Sequence, residues 1–164
     1  MRELTRALNL RGGSLYSHIT SKEELLWEIT NRVADHFLAR AAAVAQDVSP
    51  QRQLELLVRG HITVIARDID SATVFFQEWK LLKPDLQEKI KKKRDHYEAY
   101  FHSVIEEGKK RSIFRVENVY IATRFVLSAL NWTVHCFHQD QPFLPEQLAD
   151  QYLIFIMRTL TGKK

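Results

Sequence analysis

Arg11, Ser14, Tyr16, Ser17 and His18 gather a guanidinium, two hydroxyls, a phenol and an imidazole into one short stretch that no acidic residue interrupts, and Lys22 follows closely. Groups of this kind donate to phosphate oxygens and to the edges of bases, so the chemistry they offer is recognition of a polyanionic groove. A second cluster, His135 and His138 at i, i+3 with Cys136 between them, superficially suggests a metal site. The chain lacks HExxH, CxxC, GxSxG and a phosphate-cradling Gly loop, so no catalytic residue, metal or cofactor is assigned. His61 is the one residue considered as a lone acid or base, and the chain is read as a non-enzyme.

The elements that would position the first cluster can be read from spacing. Leu4, Ala7 and Leu8 give a short helix one apolar stripe, and Leu10 closes a corner. Gly12 and Gly13 permit a tight turn, and Ser14 caps a second short helix whose inward face is Leu15 and Ile19. Its polar face fits a major groove, with Arg11, Gly13, Ser14 and Ser17 choosing bases and His18 beside them. Thr20 or Ser21, with Glu23 or Glu24 three residues on, forms a capping box that opens a long helix. Lys22 at its first turn, together with Tyr16, would hold phosphate and set register.

The run Tyr16-Ser17-His18-Ile19-Thr20-Ser21-Lys22-Glu23-Glu24-Leu25 after a Gly/Ser turn resembles the DNA-reading head of the tetracycline-repressor (TetR) family, with Ile19 where Phe is more usual. The resemblance implies an all-α, TetR-like fold: a helix-turn-helix head with its connecting helix over residues 1–46, then a helical effector-binding and dimerisation domain over 47–164. It implies a homodimeric, ligand-responsive repressor on double-stranded DNA with a palindromic operator. Met1 falls at the start of the motif's first helix, so the family's leading helix is expected upstream. A missed start codon is favoured over a cut chain or a natural variant. The alternative is a helical dimeric small-molecule-binding module that does not grip DNA by itself.

At 164 residues and 45% apolar, the chain can bury one main core. Its five Gly and four Pro fall mostly between stretches of helical period, which argues all-α. The net charge of +4 is modest, but Arg2, Arg6, Arg11 and Lys22 face only Glu3, so the head is its basic end. One Cys excludes an internal disulfide framework, and no apolar run approaches the ~18 residues of a spanning helix. A cytoplasmic protein without membrane contact is expected.

Helices are expected over 21–46, 50–67, 71–82, 84–109, 117–139 and 145–161, with a break over 68–71 and Gly108 as a terminator. The last two carry apolar residues on almost every face, which implies burial all round and a two-fold, four-helix contact. Its expected members are Ala122, Val126, Ala129, Leu130, Thr133, Phe137, Leu148, Tyr152, Phe155 and Ile156.

An effector pocket is expected among the middle helices, walled by Phe75, Phe76, Trp79, Tyr97, Phe101, Phe125, Asn131 and Trp132, although the same stripes also suit plain core packing. The segments WKLLKP, RDHYEAYF, EEGKKRSIF and ALNW resemble the C-terminal domains of TetR-family regulators of lipid and aromatic-acid catabolism. That resemblance implies a small hydrophobic or acyl-CoA-like effector. Lys89, Lys91, Lys92, Lys93, Arg94 and Arg67 are the groups for its phosphates, or else a solvated face.

Overall fold

A computed structural model of the protein describes residues 21–137 and 143–162, and every regular element among them is helical. Ser21 is extended, and its Oγ accepts from the Glu24 N–H at 3.1 Å, which starts α1 (Lys22–Ala42) where the capping box predicts. Thr30, inside that helix, returns its hydroxyl to the Leu26 carbonyl, so Val33, Ala34, Phe37 and Ala41 can bury one face without an unpaired donor. Ser49 and Pro50 start α2 (Pro50–Arg67), with the cap hydroxyl accepting from Arg52 N–H.

The expected four-residue break after α2 is a single residue. Asp68 ends α2 and caps α3 (Ile69–Glu78) by accepting from Ser71 N–H at 3.0 Å. A 3-10 turn, Trp79–Leu81, brings the chain to Lys83, which is extended because Pro84 follows. The long helix α4 spans Pro84–Lys110 and so runs past Gly108. That glycine ends nothing: the backbone turns over at Ser112, at a φ of 58°, and the ring of Phe114 lies on Gly108.

Asn118 caps α5 (Val119–Asn131). The expected continuation to 139 instead tightens into a 3-10 turn, Trp132–His135, where the buried Thr133 hydroxyl donates to Leu130 O at 2.6 Å. Finally α6 (Pro145–Thr161) ends at Gly162, whose φ of 64° suits glycine. No described helix is long and apolar enough to cross a membrane.

The second helix is the axis of the body. It packs against α1, α3, α4, α5 and α6, and its Leu54, Leu57, Val58, Ile62 and Ile65 are at most 2% exposed. One cluster of core residues joins α2 to α4, α5 and α6, through Phe101, Ile105, Val126, Leu130, Leu153, Ile156 and Leu160. Another joins α1, α2, α3 and the start of α4, through Phe37, Ile65, Phe75, Leu82 and Ile90.

Burial on α5 and α6 is one-sided within the protomer, and the burial all round expected for them includes a partner copy. Val126, Leu130 and Thr133 and, on α6, Leu148 and Ile156 lie in the protomer's own core, so these five expected interface residues are spent inside one chain. Ile121, Phe125, Ile154 and Phe155 face outward instead.

The two glycines inside helices give opposite expectations. A Cβ at Gly108 would overlap the Phe114 ring, so Gly108→Ala is expected to cost about 1–3 kcal/mol. At Gly60 the nearest atom is Arg40 Cβ at an ordinary 3.5 Å, so Gly60→Ala is expected to stabilise by about 0.5–1 kcal/mol. Urea unfolding of both variants checks the pair of signs.

Candidate functional site

Where five helices converge, their side chains leave a cavity of about 260 Å³. Ala34 and Phe37 come from α1, His61 from α2, and Phe75 and Phe76 from α3. Lys93, Arg94, Tyr97 and Glu98 come from α4, and Arg124, Leu127, Ser128 and Asn131 from α5. The void survives because its walls are rings. Phe37 sits 4.8 to 5.9 Å, centroid to centroid, from His61, Phe75, Phe76 and Tyr97, all tilted rather than interleaved.

Its polar groups fall into two sets. Lys93 donates to Asn31 and Asp35 on α1, and Arg124 pairs with Glu98 at 3.4 Å, so these charges are matched. Arg94 is different: it has no carboxylate partner among the described residues, and its Nη1 is buried without a hydrogen bond. The guanidinium lies among the rings of Phe75, Trp79 and Phe76, at 5.2, 5.3 and 5.9 Å, as a cation–π cage. Burial lowers its pKa, with the charges of Asp95 and Glu98 opposing, yet a guanidinium stays charged.

His61 is also buried, at 1% exposure. Its Nδ1 lies 3.1 Å from the Tyr97 hydroxyl, and its Nε2 lies towards the Leu130 backbone without completing a hydrogen bond. Burial pulls the imidazole down to about 3 and pushes the Tyr97 phenol up, so both are neutral near pH 7. An acid–base role for His61 would need an imidazole that can charge, which this burial opposes.

Of the eight expected pocket residues, Phe75, Phe76, Tyr97 and Asn131 line the cavity. Trp79 stands behind them, against Arg94. Phe101 is a correction: it is fully buried core, edge-on to Tyr97 at 5.4 Å. Phe125 and Trp132 are corrections too, at 52% and 64% exposure. Arg124, Leu127, Ser128 and Asn131 form the cavity-facing arc of α5, which turns Phe125 outward. The 3-10 turn then carries Trp132 onto the imidazole of His135. Sequence reasoning missed Phe37, Glu98, Arg124 and Ser128 as lining residues, and only the 124, 127/128, 131 spacing could have signalled the α5 arc.

Among the basic candidates, Lys93 and Arg94 reach the cavity. Lys91 and Lys92 are exposed, Lys89 lies over the Trp27 ring, and Arg67 lines a separate groove with Arg32 and His36. Ala122, Ala129, Phe137 and Tyr152 are partly buried, and Phe155 is exposed. Cys136 faces the Tyr152 hydroxyl at 4.0 Å, while His138 lies outside the described residues. So do Arg11, Gly13, Ser14, Tyr16, Ser17 and His18, whereas Lys22 stands exposed at the start of α1.

Residues 47–160 match the family described as "Tetracyclin repressor-like, C-terminal domain". The HTH-type transcriptional repressor KstR2 of Mycobacterium tuberculosis is 23% identical over 167 positions, covering 98% of this chain and 82% of that protein. Its structure superposes with a TM-score of 0.88 at 22% identity, over 98% of this chain and 83% of that one. The TetR-family regulator PfmR of Thermus thermophilus gives 0.86 at 29% identity, over 96% and 86%. AibR, solved with isovaleryl coenzyme A and operator DNA, gives 0.79 at 22%, over 93% and 84%.

The burial of His61 has a measurable consequence. Between its ordinary 6.5 and about 3, the unfolded chain holds a proton that the folded chain refuses. This residue therefore removes stability as pH falls, at up to about 1.4 kcal/mol per pH unit. Urea midpoints measured from pH 6.5 to 4.5 should decline less steeply in His61→Phe, whatever its absolute stability; an unchanged slope would mean the imidazole is not held neutral.

Proposed function

The chain belongs to the tetracyclin repressor-like (TetR) family, and on that premise we propose that it is a transcriptional repressor whose N-terminal head binds an operator and whose helical body binds a small hydrophobic effector. The head is assigned to residues 1–46 and the effector-binding and dimerisation domain to 47–164. One observation carries the reading: α1 holds the exposed Lys22 at one end and supplies Ala34 and Phe37 to the cavity wall further along. A ligand that fits the cavity better in one placement of α1 than in another shifts the head with it, which is all that regulation by population shift requires.

The dimer is assigned to the outward faces of α5 and α6, which carry the exposed Phe125 and Phe155, since large exposed apolar groups favour burial against a copy of themselves. A two-fold pair of heads reads an inverted repeat. For the effector, an acyl-CoA thioester is the class we favour. The cavity has room for a short acyl group, Lys93 and Arg94 lie in its wall, and a fold relative is described with isovaleryl coenzyme A.

Selection from a random DNA pool by the purified protein, produced with any in-frame upstream segment, is expected to enrich an inverted repeat; enrichment of nothing would remove the reading. On the enriched site, Lys22→Ala should weaken binding to all sequences alike and flatten the salt dependence by about 0.9 in the log–log slope, read by fluorescence anisotropy. Phe155→Glu should shift the protein towards monomer in sedimentation velocity, with operator affinity falling in parallel. A variant that stays dimeric would place the interface elsewhere.

A further inference from the structure

The cavity of the proposed effector site is apolar in its walls but not in its unmet demands. Arg94, from α4, lines it with its Nη1 buried and without a hydrogen-bond partner, while the Nε2 of His61, from α2, is directed at the Leu130 backbone. Every nitrogen of the Arg94 guanidinium is a donor. The other charged groups around the void are spoken for: Lys93 by Asp35 and Asn31, and Glu98 by Arg124. Asp95, the acid next to Arg94 in sequence, is exposed. Arg94 is thus a cation held by three aromatic rings, which stabilise its charge but accept no hydrogen bond along its edges.

A purely hydrocarbon occupant would leave the Arg94 guanidinium in a drier site than before with no acceptor and no counter-charge, which works against its own binding. An occupant with acceptor oxygens at one end meets that need, and a negative charge there also balances the guanidinium. A planar carboxylate matches the guanidinium fork in shape and charge, and the rings of Phe37, Phe75 and Phe76 are left to cover an apolar remainder. At about 260 Å³ the space lies just under the range of drug-sized sites, so that remainder is one ring or a short chain.

We propose that this cavity takes an apolar carboxylic acid, with the carboxylate on Arg94 and the hydrocarbon part among the rings. The inference rests on the effector reading and narrows it. Two sources carry such a group: a free acid, and the far-end carboxylate of an acyl thioester.

Isothermal titration of the unaltered protein separates these. The probes are cyclohexanecarboxylate and its amide, and adipoyl-CoA and hexanoyl-CoA. The carboxylate member of at least one pair should bind at least about tenfold more tightly than its neutral counterpart. Preference within the first pair points to a free acid, and within the second to a thioester. Arg94→Gln should lower carboxylate affinity about 10- to 100-fold and leave the neutral probes nearly unchanged, with Arg94→Lys between. The inference is overturned if neutral and acidic probes bind alike, if neutral ones bind better, or if no acid binds in either form. The first two outcomes leave a hydrophobic effector site standing. Failure of the regulator reading appears elsewhere, as an unenriched operator pool.

Discussion

Buried polar groups need partners, and the centre of this fold is organised by how far that demand is met. Most of the chain meets it locally. Thr30, Thr123 and Thr133 return their hydroxyls to carbonyls three or four residues back, so α1, α5 and the turn after α5 bury polar residues without penalty. His61 meets it halfway, through Tyr97, and Arg94 meets it only with aromatic faces. Two of the three buried side-chain atoms without a hydrogen bond among the described residues belong to residues lining this void, and the third, Gln51 Oε1, belongs to a residue of an open groove elsewhere on the surface. Packing alone would have favoured filling the space with another aliphatic side chain.

The same region is tied to the start of α1 at two levels. Glu23, in the first turn, accepts the backbone N–H of Lys83 at 3.1 Å and pairs with its ammonium at 2.8 Å. Further along, Asn31 and Asp35 hold Lys93, the neighbour of Arg94. The two ties join α1 to the start and middle of α4 on either side of the Ile90 contact. Surface ion pairs contribute little to stability individually. Their contribution here is positional: they set the register of α1 against α4 beside the cavity.

Sequence legibility followed locality. Helix starts were readable because a cap is a two- or three-residue event: Ser21, Ser49-Pro50, Lys83-Pro84 and Pro145 each stand where a helix begins. Helix ends were less so. Gly108 looked like a terminator, but its missing side chain makes room for Phe114, a contact set by the fold and not by the neighbours of Gly108. Trp132 looked like a continuation of α5, but the backbone tightens there around the Thr133 hydroxyl. In the cavity, Phe75, Phe76, Tyr97 and Asn131 were legible as aromatic and amide groups on apolar faces. Phe101, Phe125 and Trp132 satisfied the same description and lie elsewhere, because period identifies a face without saying what that face meets.

The fifth helix shows why that ambiguity was greatest near the C-terminus. Its circumference is divided among three neighbours: Thr123, Val126 and Leu130 face the core, Arg124, Ser128 and Asn131 face the cavity, and Ile121 and Phe125 face outward. Because its outward arc is apolar like its core arc, the helix is apolar overall and reads as buried on all sides. The division also has a mechanical meaning. The cavity arc lies between the core arc and the outward arc, so a side chain pressed by a cavity occupant belongs to the same rigid rod that presents Phe125 to the exterior. Core packing on the third arc limits how that rod can respond, since Leu130 and Val126 are completely buried and resist translation. Rotation or tilt about the core contacts is what remains, and either one would reorient the outward face if the proposed effector entered the cavity.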